Sequence, residues 1–281
     1  MKADQKFDRR AKVHFRSLEI SQYVARTHFE DIVYALTLEA NLGINDRFTI
    51  QAKAPYMWVR NAVNTWKTNA WGDVSLSFTY VLHKTEAYQI SGTAGAKFPT
   101  NNSDLRLPNG RPLPMYFQTS LGTYDLVLGA SYLSRDWLLA VGYQQPLHHI
   151  NANTFIYEAW EDTPSLADAL LYVESLNLRR KGDVMGRIER NFRLSRFSFN
   201  FGLLAIHHLG LDQVTDPTSG EEIEDPRSHG TALSFLAGAT YRASVRSHFK
   251  LLLGNRIIRR KQNPDGLSRE QVLNFGYQFN F

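Results

Sequence analysis

The 281-residue chain has no cysteine. That absence excludes a disulfide framework, thiolate nucleophiles and zinc sites built on cysteine. No run of about 20 apolar residues occurs either, which excludes a transmembrane helix. Neither sign of charge dominates: 32 Lys and Arg stand against 27 Asp and Glu, a formal balance of +5. With no long basic run and no nucleic-acid motif, no nucleic-acid partner is expected. The opening MKADQKFDRR is too polar for a signal peptide, so the chain is read as a mature one. Mean hydropathy is negative, as in soluble proteins. That value decides nothing, because a membrane β-barrel alternates apolar and polar residues and also averages out polar.

What the sequence does have is alternation. In DVSLSFTYVL, Val74, Leu76, Phe78, Tyr80 and Leu82 fall on one face, and Asp73, Ser75, Ser77, Thr79 and Val81 on the other. TYDLVLGASY, WLLAVGYQ, RFSFNFGLLAIH and HFKLLLGNRI repeat the pattern, with one face large and apolar and the other small, polar or Gly-rich. The chain ends on the same alternation, Leu273 to Phe281, whose apolar set is Leu273, Phe275, Tyr277, Phe279 and Phe281. Twelve strands are predicted: 11–21, 31–42, 46–57, 71–83, 86–98, 122–134, 136–147, 176–193, 196–208, 229–243, 247–260 and 268–281. Most are longer than the five or six residues of an ordinary globular strand and match the roughly 9–11 needed to cross a bilayer at a tilt.

The predicted connections alternate in length. Short turns such as GIND, HKTE and SRD alternate with segments such as 99–121, 148–175 and 209–228. An even strand number, tight turns at one end and long loops at the other describe a single all-β transmembrane antiparallel barrel of the outer membrane. On that reading the turns and both termini are periplasmic, residues 1–10 form a periplasmic tail, and the long loops are extracellular. LRLPNGRPLP is too rich in Pro for a central strand. Residues 162–176 read as a short helix, with Thr163 as cap and an apolar stripe of Leu166, Ala169, Leu170 and Val173, packing on the rim or acting as a lid. Residues 216–230 read as an acidic, mobile surface loop.

WGDVSLSFTYVL, GAKFPTNNSDL, SLGTYDLVLGASY and WLLAVGYQQPL, in this order over 71–147, resemble the outer-membrane transporter-like family associated with the meta-pathway of phenol degradation. That family is more distantly similar to long-chain fatty-acid transporter barrels. The resemblance implies passage of small, aromatic or apolar, molecules. It departs from the fatty-acid transporters at the start, where only about ten residues precede the first predicted strand, so no large plug is expected.

The polar half of each strand should line the lumen. Parity places Asp73, Lys97 and Asp125 inward on adjacent strands, where they should form an ion cluster. Such a cluster either fixes strand register or forms a constriction that touches cargo. Arg187 and Arg193 on one strand and Lys250 and Arg256 on another should make the opposite wall basic, with Glu189 among them. Glu39 and Lys53 add a mixed pair. An acidic patch facing a basic wall would favour dipolar or anionic solutes; the alternative is a salt-bridge network that fills a narrow barrel. His148–His149 and His207–His208 lie at outer strand ends, and at most one of each pair can point inward. They read as polar rim, with no metal or other cofactor expected. Trp58, Trp71 and Trp160 at the outer ends, Trp137 at the inner turn, and Tyr56, Tyr80, Tyr124 and Tyr143 read as interfacial girdles.

No Ser, His and acid come together in the pattern, so no enzyme is expected. The functional expectation is an outer-membrane channel or transporter for small solutes. The alternatives are an accessory or scaffold subunit of an outer-membrane complex, and a lipid hydrolase. Expected partners are outer-membrane lipids and lipopolysaccharide, a small-molecule solute, and the outer-membrane assembly machinery, which would read Leu273 to Phe281.

Overall fold

Alternation puts one face of each strand in a single chemical environment, and a sheet with an apolar outer face can shed its edges only by closing on itself. The computed structural model describes residues 14–63 and 65–281 and shows such a closure. The staves are β1 (His14–Arg26), β2 (Ile32–Asn45), β3 (Phe48–Arg60), β4 (Lys67–Trp71), β5 (Val74–Lys84), β6 (Tyr88–Phe98), β7 (Thr123–Ser134), β8 (Trp137–His149), β9 (Asp183–Arg193), β10 (Phe197–His208), β13 (Gly230–Arg242), β14 (Ser247–Ile258) and β15 (Gln271–Asn280). Between them, β11 (Gln213–Thr215) and β12 (Glu222–Glu224) form a separate hairpin. Strands β4 and β5 are two halves of one stave, so thirteen strands build a twelve-stave antiparallel barrel. The ring closes between first and last strands, from Ser17↔Asn280 to Arg26↔Gln271.

The broken stave has a local cause. On β3, the pairing with β5 ends at Lys53↔Ser75 and the pairing with β4 begins at Tyr56↔Trp71. Pro55 lies between, with no N–H to give to a neighbouring strand, while its carbonyl accepts a hydrogen bond from Gly72 N at 2.8 Å. Gly72 and Asp73 fill the gap, which carries Asp73 inward.

Large apolar side chains cover the outside, among them Ile20, Phe78, Val141, Phe201, Leu253 and Phe275, all exposed. That surface suits hydrocarbon rather than water. At the loop end, Tyr34, Trp58, Tyr56 and Trp71 form an outward chain of ring contacts at 5.2, 4.7 and 5.4 Å. At the turn end, the Arg190 guanidinium stacks 5.0 Å from the Trp137 ring, as expected of interfacial anchors. Trp160 does not belong to a girdle: it is buried among the loops.

The hydrophobic core sits at the loop end. Inward residues Ala25, Val33 and Val59 of β1–β3 pack with loop residues Trp66, Leu113, Phe117, Phe155, Trp160 and Tyr172. Buried Gln118 and Asn153 bond the loop backbone, Gln118 Nε2 donating to Leu113 O at 2.9 Å and Asn153 Nδ2 to Ser103 O at 2.7 Å. These bonds allow irregular chain to be buried.

Several boundaries differ from the sequence reading. Strand β1 runs on to Arg26, because it must pair along the whole of β15. Residues 1–10, read as a tail, and 11–13 of the first predicted strand lie outside the described residues. Strand β9 starts at Asp183 rather than 176: Leu178 is buried and Arg179 bridges to Gln213, so 176–182 belongs to the loop layer. The helix is one turn, α1 (Leu166–Ala169). Its buried residues are Ala169 and, beyond it, Tyr172, while Leu170 is exposed. Thr163 Oγ1 donates to Trp160 O rather than capping the helix. The acidic loop is partly ordered as the β11–β12 hairpin.

Candidate functional site

The inward faces of the staves carry charged groups in two zones. The first lies under the loop layer. Lys97 on β6 places its Nζ 3.9 Å from Asp73 and 4.0 Å from Asp125 on the neighbouring staves. The three residues therefore meet, at distances longer than a direct hydrogen bond. Asp125 is buried; it also accepts a short hydrogen bond from Gln144 Nε2 and lies 3.9 Å from Arg180.

Arg180 is the centre that parity could not find, because it lies in the loop before β9. Its side chain is 1% exposed. It donates to Asp183 at 2.7 Å and lies 3.4 Å from Asp265. Asp265, in the loop between β14 and β15, is gripped in turn by Arg260 at 2.9 Å. Burial alone would raise the Asp265 carboxyl, but Arg260 and Arg180 outweigh it and hold it below the usual carboxylate range. His208, the inward member of its pair, bridges Asp183 at 2.7 Å and Asp212 at 2.8 Å. His207 faces the other way, onto Thr231. His149 likewise faces inward, 3.1 Å from Arg180 O, while His148 lies outside against the Tyr124 ring, tilted to it. A cavity of about 260 Å³ opens against this network, with Lys97, Gln144, Arg180, Arg256 and Asp265 in its wall.

The second zone lies further from the loops. Glu39 and Lys53 pair across β2 and β3 at 2.9 Å, and Gln51 and Asn41 donate to Glu39 at 2.6 and 3.0 Å. Lys250 on β14 pairs with Glu19 on β1 at 2.7 Å. Arg187 pairs with Glu189 within β9, and Asn200 donates to Glu189 at 2.9 Å. A second cavity, of about 360 Å³, touches Glu19, Glu39, Lys53 and Asp73.

The wall expected to be basic is thus divided into local pairs. Lys250 and Arg187 each have a carboxylate. Arg256 borders the upper cavity, and Arg193 is exposed at the turn end, apart from the other candidates. Glu19 went unrecognised: it lies within the predicted first strand, 11–21, but that strand's weak alternation gave no inward face. Arg180 fell inside the predicted strand 176–193 on the parity opposite to Arg187, Arg260 stood at the very end of the predicted strand 247–260, and Asp265 lay in a connection that has no period. The one available signal was the density of Arg, Lys and Asp in RRKGD, residues 179–183.

No protein-family model matches the chain, and no curated protein matches it. Solved structures do. An outer-membrane channel from Pseudomonas putida F1 aligns over 99% of this chain and 99% of that one, with a TM-score of 0.59 at 15% identity. The NanC porin aligns over 94% of this chain and 100% of its own, with a TM-score of 0.51 at 11% identity. At such identities the likeness is one of fold.

Proposed function

We propose that the chain is an outer-membrane channel for small polar or charged solutes, which pass a lumen narrowed at its loop end by the Arg180 network. The single observation carrying this reading is the inner wall. Ion pairs and amides, with apolar side chains such as Val127, Met185 and Ile206 between them in the upper one, line two cavities of about 260 and 360 Å³ inside a barrel whose outside is apolar. A scaffold has no need of a cavity with charged walls, and a lipid hydrolase would carry its nucleophile on the lipid side. The fold likeness to two outer-membrane pores supports the same reading. In this arrangement the turns and both termini face the periplasm, and β15 serves both as closing strand and as the segment read during assembly. The sequence resemblance to the phenol-degradation family adds aromatic solutes to the candidate cargo.

Purified protein in planar bilayers should give discrete conductance steps. Trp160→Ala with Tyr172→Ala, which empties the centre of the loop core, should raise the step size. Absence of conductance in both proteins would sink the channel reading in favour of the scaffold. A reversal potential showing strong cation preference would sink the expectation, drawn from the sequence, that dipolar or anionic solutes are favoured.

A further inference from the structure

A row of basic residues crosses the outer face at the loop end. Arg26 on β1 is paired with Ile32 on β2, Ile32 with Arg60 on β3, and Arg60 with Lys67 on β4. Directly paired residues point to the same side of a sheet. Arg60 and Lys67 share that side with Trp58, Asn69 and Trp71, all exposed on the outer surface. With staves about 4.8 Å apart, the three cations span roughly 15 Å. Arg26 shares its charge with Glu30 at 2.5 Å. Neither Arg60 nor Lys67 pairs with a described acidic residue.

The row stands at a definite height. Two residues further along the strands, about 7 Å by strand rise, comes Tyr34↔Trp58, and then Tyr56↔Trp71. Aromatic rings of this kind mark the level where hydrocarbon meets headgroups. The cations therefore lie one layer beyond the hydrocarbon, at the depth of headgroup phosphates. The turn end of the same staves is different: Asp46 sits beside Arg47 and Glu86 near Lys84, so the charges there are mixed. A cation row above an aromatic girdle, with Arg60 and Lys67 unmatched by a described acidic residue, is complementary to anionic headgroups. The guanidinium of Arg60 can grip a phosphate through two parallel N–H groups, and Lys67 adds a point charge one stave away.

We infer that Arg26, Arg60 and Lys67 form a binding site for the phosphorylated headgroup of a lipid in the leaflet at the loop end. A headgroup carrying two phosphates would bridge Arg60–Lys67 and Arg26. The inference rests on the outer-membrane reading for its lipid but not on channel activity, and the test separates the two.

The test is native mass spectrometry of the full-length barrel in detergent, titrated with lipid A carrying both phosphates. Wild type should retain one lipid A. Arg60→Gln/Lys67→Gln should weaken retention at least tenfold, and Lys84→Gln at the turn end should leave it unchanged. Dephosphorylated lipid A should bind wild type no better than the double variant binds intact lipid A. Millimolar inorganic phosphate should fail to displace the intact lipid. Equal retention by wild type and double variant, equal retention of the dephosphorylated lipid, or displacement by inorganic phosphate alone would overturn the site. Bilayer conductance of the double variant should match wild type. Conductance without lipid A retention refutes the site and spares the channel; retention without conductance does the reverse. Heat-modifiable migration reports whether the double variant is folded. Should it fail to fold, Lys67→Gln alone, which removes one exposed ammonium, should weaken retention several-fold, and unchanged retention would overturn the site.

Discussion

Replacing Arg180 by Met tests the centre of the upper network. Met keeps an unbranched stem, ends two atoms short of the guanidinium Nη atoms and removes the charge. The structure then leaves Asp125, Asp183 and Asp265 facing the space the guanidinium held. Each keeps another partner: Lys97 at 4.0 Å for Asp125, His208 at 2.7 Å for Asp183, and Arg260 at 2.9 Å for Asp265. No carboxylate is wholly orphaned, but one buried cation serving three of them is lost. Removing one member of a buried ionic cluster costs about 3–5 kcal/mol, and the remaining partners place the expected loss near the lower limit, about 3 kcal/mol. Arg180→Lys keeps the charge but cannot reproduce a planar fork reaching three acids, and should cost about 1–2 kcal/mol. Urea unfolding in detergent micelles measures both. A cycle with Asp183→Asn should show a coupling of about 1.5–3 kcal/mol, the range of a hydrogen bond to a charged group. If Arg180→Met unfolds within about 0.5 kcal/mol of wild type, the limit of ordinary surface substitutions, then Arg180 does not hold the network together.

Two further outcomes follow from the geometry. Lys97→Met should destabilise by about 1–2 kcal/mol, less than Arg180→Met, because its contacts of 3.9 and 4.0 Å are beyond direct hydrogen bonding and Asp125 keeps Arg180; heat resistance and conductance equal to wild type would refute a role for the cluster. Asp31, in the loop after β1, accepts from Tyr172 at 2.8 Å and Thr27 at 2.9 Å and ties the loop layer to the barrel rim. Burial pushes its carboxyl above the usual value, against the pull of those two hydrogen bonds. The closed loop layer then binds more protons than the open one in the window just above the ordinary carboxylate pKa, so its stability falls as pH rises through that window. Protease cleavage within 148–175 should accelerate across it in wild type and be independent of pH there in Asp31→Asn; the opposite slope would refute the assignment.

Parity along the strands was enough to place Asp73, Lys97 and Asp125 on one face, because a side chain two residues on always returns to the same side of a sheet. The same rule separated His148 from His149, and it marked Leu273 to Phe281 as a stave with an apolar outer face. Reading failed where the period failed. Trp160 looks interfacial in the sequence, since an aromatic near a strand end carries no sign of whether it turns out to lipid or in to a loop core. The stretch 176–182 reads as strand despite its ragged alternation, whereas Leu178 and Arg180 are buried among the loops.

Alternation over strands long enough to cross a bilayer is a local property written in consecutive residues, and it sufficed for a closed antiparallel barrel with lipid outside and polar groups within. Tertiary structure alone decided which charges meet. Lys250 finds Glu19 across 231 positions because the last strand closes on the first. Tyr172 reaches Asp31 across 141 because the loops fold back over the rim. Arg180 gathers three acids from separate elements. Such meetings depend on ring closure and loop packing, which join residues with no fixed spacing in the chain.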